Sequence, residues 1–189
     1  MSGRSPGFYI GLSVATSLVT MALKFGAYYL TGSVGLLSDA LESFVNLGAA
    51  LVAAVTLSYA HSGEDEDHNF GHQKAEYFSS GIEGALIFVA AAAIIWSAVP
   101  RLAAPQPLEQ VGLGLALSVA AAGANLLCGW LLLKGAREHR SITLEADAHH
   151  LLTDVWTTAG VIAAVAVGHF TRLLILDPVI AIVVALQIL

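Results

Sequence analysis

Long apolar segments, separated by short polar stretches, extend along the whole chain. Six of them lie at about residues 8–30, 34–60, 75–99, 108–133, 142–167 and 173–189. A membrane helix needs about 20 apolar residues to cross a hydrocarbon core of about 30 Å, and the first five segments are long enough. From Pro178, the sixth has only 12 residues left, which span about 18 Å. The pattern predicts an all-α membrane protein, a six-transmembrane-helix bundle in which the sixth helix is truncated at the chain end.

Two of these segments carry a row of polar residues at helical spacing. The rows are Asp39, Glu42 and Asn46 in the second segment, and Asp147, His150 and Asp154 in the fifth. Residues three and four positions apart lie on one face of a helix. Interhelical hydrogen bonding explains an isolated asparagine, but each ionisable group inside a membrane helix costs about 2.5–3.5 kcal/mol or more. Two matched rows with a histidine and several acids therefore indicate a functional site that faces the protein interior.

The two rows are predicted to meet near the middle of the membrane. Glu42 lies about 14 Å into the second helix, and Asp154 lies about 21 Å from the end of the fifth, by helical rise. Because these helices run in opposite directions, four groups converge: Glu42, Asn46, His150 and Asp154. Three oxygen donors and one imidazole suit Zn, Fe(II), Mn or Co. The same ligands take up protons when the metal leaves, so metal and protons compete for one site.

Other polar residues in the apolar segments have supporting roles in this interpretation. Asp39 and Asp147 lie one turn from the four predicted ligands, and we expect them to hold a ligand in place or to line a vestibule. Lys24 lies near one end of the first segment and is expected to extend its ammonium group toward the membrane surface. Asn125, in the fourth segment, is expected to form an interhelical hydrogen bond.

Composition and charge agree with a membrane protein. The chain of 189 residues is 57% hydrophobic and 12% charged, with a mean hydropathy of +0.75, whereas soluble domains are about a quarter charged. The net charge of -6 gives no indication of nucleic-acid binding, because four acids form one cluster at residues 64–67. Most loop cations fall on one side of the predicted bundle, namely Arg4, Lys74, Lys134, Arg137 and Arg140. The positive-inside rule places that side, and the N-terminus, in the cytoplasm.

The polar loop between the second and third segments offers a second candidate metal site. Glu66, His68 and His72 have the right ligand chemistry. A solvated acidic turn is the alternative, and residue type alone does not decide between the two.

Several phrases resemble the cation diffusion facilitators, specifically their bacterial iron/zinc efflux branch. The phrases are Thr31-Gly32-Ser33-Val34, Leu37-Ser38-Asp39-Ala40-Leu41-Glu42-Ser43, Asn69-Phe70-Gly71-His72-Gln73-Lys74-Ala75-Glu76, and Glu145-Ala146-Asp147-Ala148-His149-His150-Leu151-Leu152-Thr153-Asp154. The resemblance covers essentially the whole chain. The phrase around Phe70-Gly71-His72 and the His150/Asp154 pair are its specific parts.

The resemblance implies a homodimeric six-helix domain, residues 1–189, in the cell inner (plasma) membrane, with a cytoplasmic C-terminal domain in the full protein. It also implies metal binding by Glu66, His68 and His72 in the loop. At the transport site, the family commonly has Asp or His at the place of Glu42 and Asp at the place of Asn46. The amide makes the site harder, which shifts the metal preference from zinc toward Fe(II), Mn or Co.

The sequence thus predicts a cation/proton antiporter that exports Zn²⁺ or Fe²⁺, with Mn, Co and Cd as further candidate substrates. No organic cofactor and no nucleic acid are expected as partners. One alternative is a membrane metal sensor that binds without transport, for which the loop site would suffice. Another is an intramembrane metal hydrolase, which needs an open metal position and a general base, but the chain has no HExxH motif.

Overall fold

The computed structural model describes residues 6–60 and 75–189, with the side chains of residues 7–52 and 80–189. Within these ranges the chain forms six α-helices and no strand: α1 (Pro6–Thr31), α2 (Val34–Ala60), α3 (Ala75–Ala103), α4 (Val111–His139), α5 (Ile142–Thr171) and α6 (Leu176–Ile188). The first five are long and apolar enough to cross a membrane, whereas α6 has 13 residues. The predicted all-α membrane bundle with a short last helix is confirmed.

Three helices end several residues beyond the predicted positions, and one of them, α5, reaches Thr171 where the predicted segment ended at residue 167. α3 continues through Pro100 to Ala103, although a proline lacks the N–H group of a helix interior and was expected to end it. The helix ends within one turn of this exposed proline. α4 continues to His139, where Arg140 adopts a left-handed conformation with φ of 51°. Ser141 then caps α5 by accepting a hydrogen bond from a backbone N–H of its first turn. Residues 134–139, which the prediction placed in the connection between the fourth and fifth segments, therefore form the last turns of α4.

Small residues on α4 allow close packing against its neighbours. A Cβ atom at Gly135 would lie 2.9 Å from the ring of Tyr9 on α1, and one at Gly129 would lie 3.2 Å from Leu152 on α5. Such small residues let membrane helices approach each other at their backbones. As a result, polar side chains of α1, α4 and α5 can meet in the interior of the bundle.

Contacts at the two ends of the bundle show the relative directions of the helices. At one end, the Arg101 guanidinium of α3 donates a hydrogen bond of 3.1 Å to the carbonyl oxygen of Gly32, in the turn between α1 and α2. At the other end, the Tyr9 hydroxyl donates to Glu138, near the end of α4, at 3.4 Å. α1 and α4 therefore run antiparallel. Which end faces the cytoplasm stays a prediction.

A carboxylate from α6 caps the start of α2. The first N–H groups of a helix have no partner within the helix. Asp177 accepts hydrogen bonds from the backbone N–H groups of Val34 at 2.9 Å and Gly35 at 3.0 Å, and from the Ser33 hydroxyl. Asp177 is only 5% exposed, and its charge complements the positive end of the α2 dipole. This contact ties α2, which carries Asp39, Glu42 and Asn46, to α6.

We expect Asp177→Ala to lower the free energy of unfolding by about 2 kcal/mol, because it leaves two buried N–H groups without an acceptor. Asp177→Asn keeps one acceptor oxygen and should lose less. Chemical unfolding in detergent, followed by helical circular dichroism, measures both variants. Equal stability of the alanine variant and the wild type would show that this cap does not hold α2 in place.

Candidate metal centre

A cavity of about 220 Å³ lies between α2, α3, α5 and α6. All four side chains predicted to bind metal line it: Glu42, Asn46, His150 and Asp154. Its other walls are Val45, Ile87, Thr153, Gln187 and Ile188. The polar rows of α2 and α5 therefore meet at one place in the bundle. Whether these side chains bind metal stays a prediction.

The four side chains differ in their access to the outside. Asp154 is buried, with 6% of its surface exposed. Glu42 and Asn46 are half-buried, and His150 is exposed. Among the described residues, the buried Oε2 atom of Glu42 has no hydrogen-bond partner. A buried carboxylate oxygen without a donor is costly, and it is available to a cation or a proton that enters the cavity.

Lys24 points into the bundle, so the prediction that it extends toward the membrane surface is wrong. Its ammonium group donates hydrogen bonds to Asp39 at 2.9 Å, to both carboxylate oxygens of Asp154 at 2.9 and 3.0 Å, and to Ser43 at 2.8 Å. Its side chain is 0% exposed. Two carboxylates and a hydroxyl replace the water that the ammonium loses, which is how a buried charge becomes tolerable.

Two further side chains extend this network. The Asn125 amide of α4 donates a hydrogen bond to Asp154, and the Thr158 hydroxyl of α5 donates to Asp39 at 2.9 Å. Asn125 thus forms an interhelical hydrogen bond, as an isolated membrane asparagine is expected to do, and its partner is a predicted metal ligand. One continuous polar cluster joins α1, α2, α4 and α5.

The Asp154 carboxylate is hydrogen-bonded within this polar cluster and, among the described residues, is not part of a formed metal site. Across the described part of the chain, no three His, Cys, Asp or Glu side chains come close enough together to hold a metal ion. The four predicted ligands share a cavity, but their donor atoms are not gathered around one point. Lys24 and Asn125 hydrogen-bond the Asp154 carboxylate instead, so this predicted ligand is paired with an internal cation.

A second cavity, of about 340 Å³, reaches three of the four predicted ligands from one end of the bundle. It includes Asn46, His150 and Asp154, and extends to Ile10 near the start of α1 and Thr143 near the start of α5. Asp147 lines this second cavity and Asp39 lines neither. The vestibule role predicted for Asp147 therefore has a matching geometry, whereas Asp39 contacts Lys24.

The predicted loop site cannot be placed in the structure. Glu66, His68 and His72 lie outside the described residues, and their metal role stays a prediction.

A pattern in the sequence of α1 would have identified Lys24. Ser13, Ser17, Thr20 and Lys24 are spaced by four, three and four positions, which puts them on one helical face. Three of them are buried. Thr158 likewise continues the α5 row one turn beyond Asp154. Asn125 has no such row of ionisable neighbours on α4, and only the fold shows its partner.

Comparison with known proteins shows which family the chain belongs to. The family described as "Cation efflux transmembrane domain" matches residues 10–189. The chain is 53% identical, over 189 residues, to an uncharacterised transporter of Synechocystis sp.. It is 30% identical to the cation-efflux pump FieF of Shewanella oneidensis over 158 residues, 84% of this chain. It is also 30% identical to the zinc transporter ZitB of Escherichia coli over 161 residues, 85% of this chain.

The chain corresponds to only part of these relatives. The matched region is 61% of the Synechocystis transporter, 53% of the Shewanella pump and 51% of the Escherichia coli transporter. The family match nevertheless covers nearly all of the chain and agrees with the six-helix fold and the resemblance noted in its motifs. The chain therefore belongs to the cation efflux family, within that family's transmembrane domain.

Proposed function

We propose that the protein exports a divalent transition metal from the cytoplasm in exchange for protons, and that Glu42, Asn46, His150 and Asp154 bind the metal. The observation that carries this proposal is the single cavity lined by all four side chains. Family membership supports transport, and two relatives are named as a cation-efflux pump and a zinc transporter. Zn²⁺ and Fe²⁺ are the first substrates to test, followed by Mn²⁺, Co²⁺ and Cd²⁺.

The donor set suits a substrate that must bind and leave. Two carboxylates neutralise the charge of a divalent ion inside the membrane, while an amide and an imidazole complete four ligands of mixed hardness. The unpaired Oε2 of Glu42 is placed to take either a metal ion or a proton. Since metal binding requires deprotonated ligands, protons that reach these groups displace the metal. This competition couples the two flows.

In this conformation, the proposed metal site is reached from one end of the bundle. The larger cavity extends from Asp154 toward the end of the bundle where α1 begins. We assign that end to the cytoplasm because Lys134, Arg137 and Arg140 lie there. The conformation is then inward-facing, and export requires rocking of helix groups about the site until the other end opens.

The wider assembly follows the family in this proposal. The protein is a homodimer in the inner membrane with its N-terminus in the cytoplasm, and the full-length protein has a cytoplasmic domain after α6. The loop residues Glu66, His68 and His72 form an additional metal site. Cross-linking in native membranes, and accessibility labelling of cysteines placed at the two ends of the bundle, would test the dimer and the orientation.

Reconstituted transport tests the central proposal. The full-length protein in proteoliposomes with an internal pH dye should show proton movement that depends on added Zn²⁺ or Fe²⁺ and runs opposite to the metal. Protein-free vesicles, and vesicles supplied with Mg²⁺, are the controls. Saturable metal binding without metal or proton flux would instead support a membrane metal sensor. Metal flux with no proton movement would contradict the antiport mechanism.

A further inference from the structure

We propose that Lys24 is a tethered internal cation that competes with the transported metal for Asp154, and that Asp39 receives its ammonium group when metal binds. The inference rests on the proposed metal centre. It adds a residue from α1, and a carboxylate outside the cavity, to a site otherwise formed by α2 and α5.

The first step in the argument is the placement of charge. The Lys24 ammonium bonds both oxygens of Asp154, at 2.9 and 3.0 Å, and one oxygen of Asp39, at 2.9 Å. Asp154 faces the cavity, whereas Asp39 does not line it. The ammonium therefore lies behind Asp154 and occupies its carboxylate from inside the protein. A divalent ion held by Glu42 and Asp154 would share Asp154 with this ammonium, and two cations on one carboxylate repel each other.

The second step is the destination of the ammonium. Asp39 is 0% exposed, and within the described residues its buried Oδ2 atom has no hydrogen-bond partner. Lys24 already bonds the other oxygen of the same carboxylate. A lysine side chain has a flexible four-carbon stem, so a small swing brings the ammonium from Asp154 onto both oxygens of Asp39. The Thr158 hydroxyl, which donates to Asp39 at 2.9 Å, keeps that carboxylate in place.

The third step is the consequence for transport. A site with two carboxylates and no competing cation would hold a divalent metal tightly and release it slowly. An internal ammonium group lowers the affinity of the site for the metal, because it neutralises the charge of Asp154 as the metal leaves. Its return to Asp154 favours release of the metal, and Asp154 and Asp39 together are never left without a cation during the cycle.

The test is equilibrium binding of Zn²⁺ to the full-length protein by isothermal titration calorimetry. The binding component that disappears in Asp154→Ala is assigned to the cavity, which separates it from metal sites elsewhere in the protein. The discriminating variant is Lys24→Gln with Asp39→Asn, because it removes one positive and one negative charge and leaves the net charge unchanged. We expect this pair to tighten the Asp154-dependent component about tenfold.

Asp39→Asn alone gives a second test of the inference. This variant is expected to fold, because the opposite charges of Lys24 and Asp154 still cancel. Lys24 then has no alternative carboxylate, so we expect weaker Zn²⁺ binding. Asp147→Asn is the matched control, because it removes one carboxylate close to the site without touching Lys24, and it should weaken binding less. Size-exclusion chromatography and circular dichroism establish that each variant is folded.

The outcomes separate this inference from the proposed function. Tighter binding in the paired variant, and weaker binding in Asp39→Asn than in Asp147→Asn, support a competing ammonium. Unchanged or weaker binding in a folded paired variant overturns it, as does an effect of Asp39→Asn no larger than that of the control. If wild-type protein has no Asp154-dependent component at all, the proposed metal centre itself is wrong.

Discussion

Asp154→Asn is expected to reduce metal-driven proton flux about a hundred-fold or more while the protein stays folded. Asparagine keeps the shape of the side chain but removes the buried negative charge that the proposed centre shares between metal and proton. Removing one partner of a buried charged interaction costs about 2–5 kcal/mol, and about 2.7 kcal/mol already corresponds to a hundred-fold change. Lys24 keeps Asp39 as its partner, so no buried cation is left unpaired. Initial rates in proteoliposomes, at saturating and sub-saturating Zn²⁺, measure the effect.

Glu145→Gln is the matched control for this variant. It removes a carboxylate from the same helix, but Glu145 is exposed and lines neither cavity. Its flux should stay within about twofold of wild type, since surface charges contribute little. If Asp154→Asn retains wild-type flux, then Asp154 is not a transport ligand and the proposed site is misplaced. A loss that is reversed at high Zn²⁺ would instead show that the aspartate contributes to metal affinity alone.

The features that the sequence predicts well are those that depend on periodicity along a single helix. Helical spacing aligned Glu42 with Asn46 and His150 with Asp154, and all four line one cavity. Helical rise placed the two pairs at compatible depths, because α2 and α5 are antiparallel. The apolar segments gave the six helices, since crossing a membrane requires a fixed length of apolar residues. Helix ends were less predictable. For example, Pro100 was expected to end α3 but lies inside its last turn.

The features that were missed depend on contacts between helices. The position of Lys24 in α1 is compatible with a side chain that reaches the membrane surface and with one that points into the bundle. Only its contacts with the neighbouring helices decide between the two. Asp39 and Asp154 lie on different helices and are 115 positions apart, yet both contact the same ammonium. Asn125 is also in contact with Asp154, from a third helix. The convergence of the four predicted ligands was expected, but the pairing of Asp154 with an internal ammonium group was not.

Lys24→Met is expected to lower the free energy of unfolding by about 3–5 kcal/mol, because it leaves two buried carboxylates without their cation. Among the described residues, Asp39 would keep only the Thr158 hydroxyl, and Asp154 would keep Asn125 and a weak contact of 3.5 Å from Ser43. Methionine fills a volume similar to that of the lysine stem, so the loss measures charge and not packing. Unfolding by denaturant in detergent, at a pH where both carboxylates ionise in the unfolded chain, gives the value.

A neutralised variant separates the charge effect from any other consequence of losing Lys24. In Lys24→Met with Asp39→Asn and Asp154→Asn, the whole charged group is replaced by neutral side chains, and such replacements are often neutral or stabilising. We expect its stability to return to within about 1 kcal/mol of wild type, although it should not transport metal. If Lys24→Met alone is as stable as wild type, the buried ion pair does not organise the bundle. If the neutralised variant is as unstable as Lys24→Met, the lysine stem stabilises the bundle by packing, and its charge is not the cause.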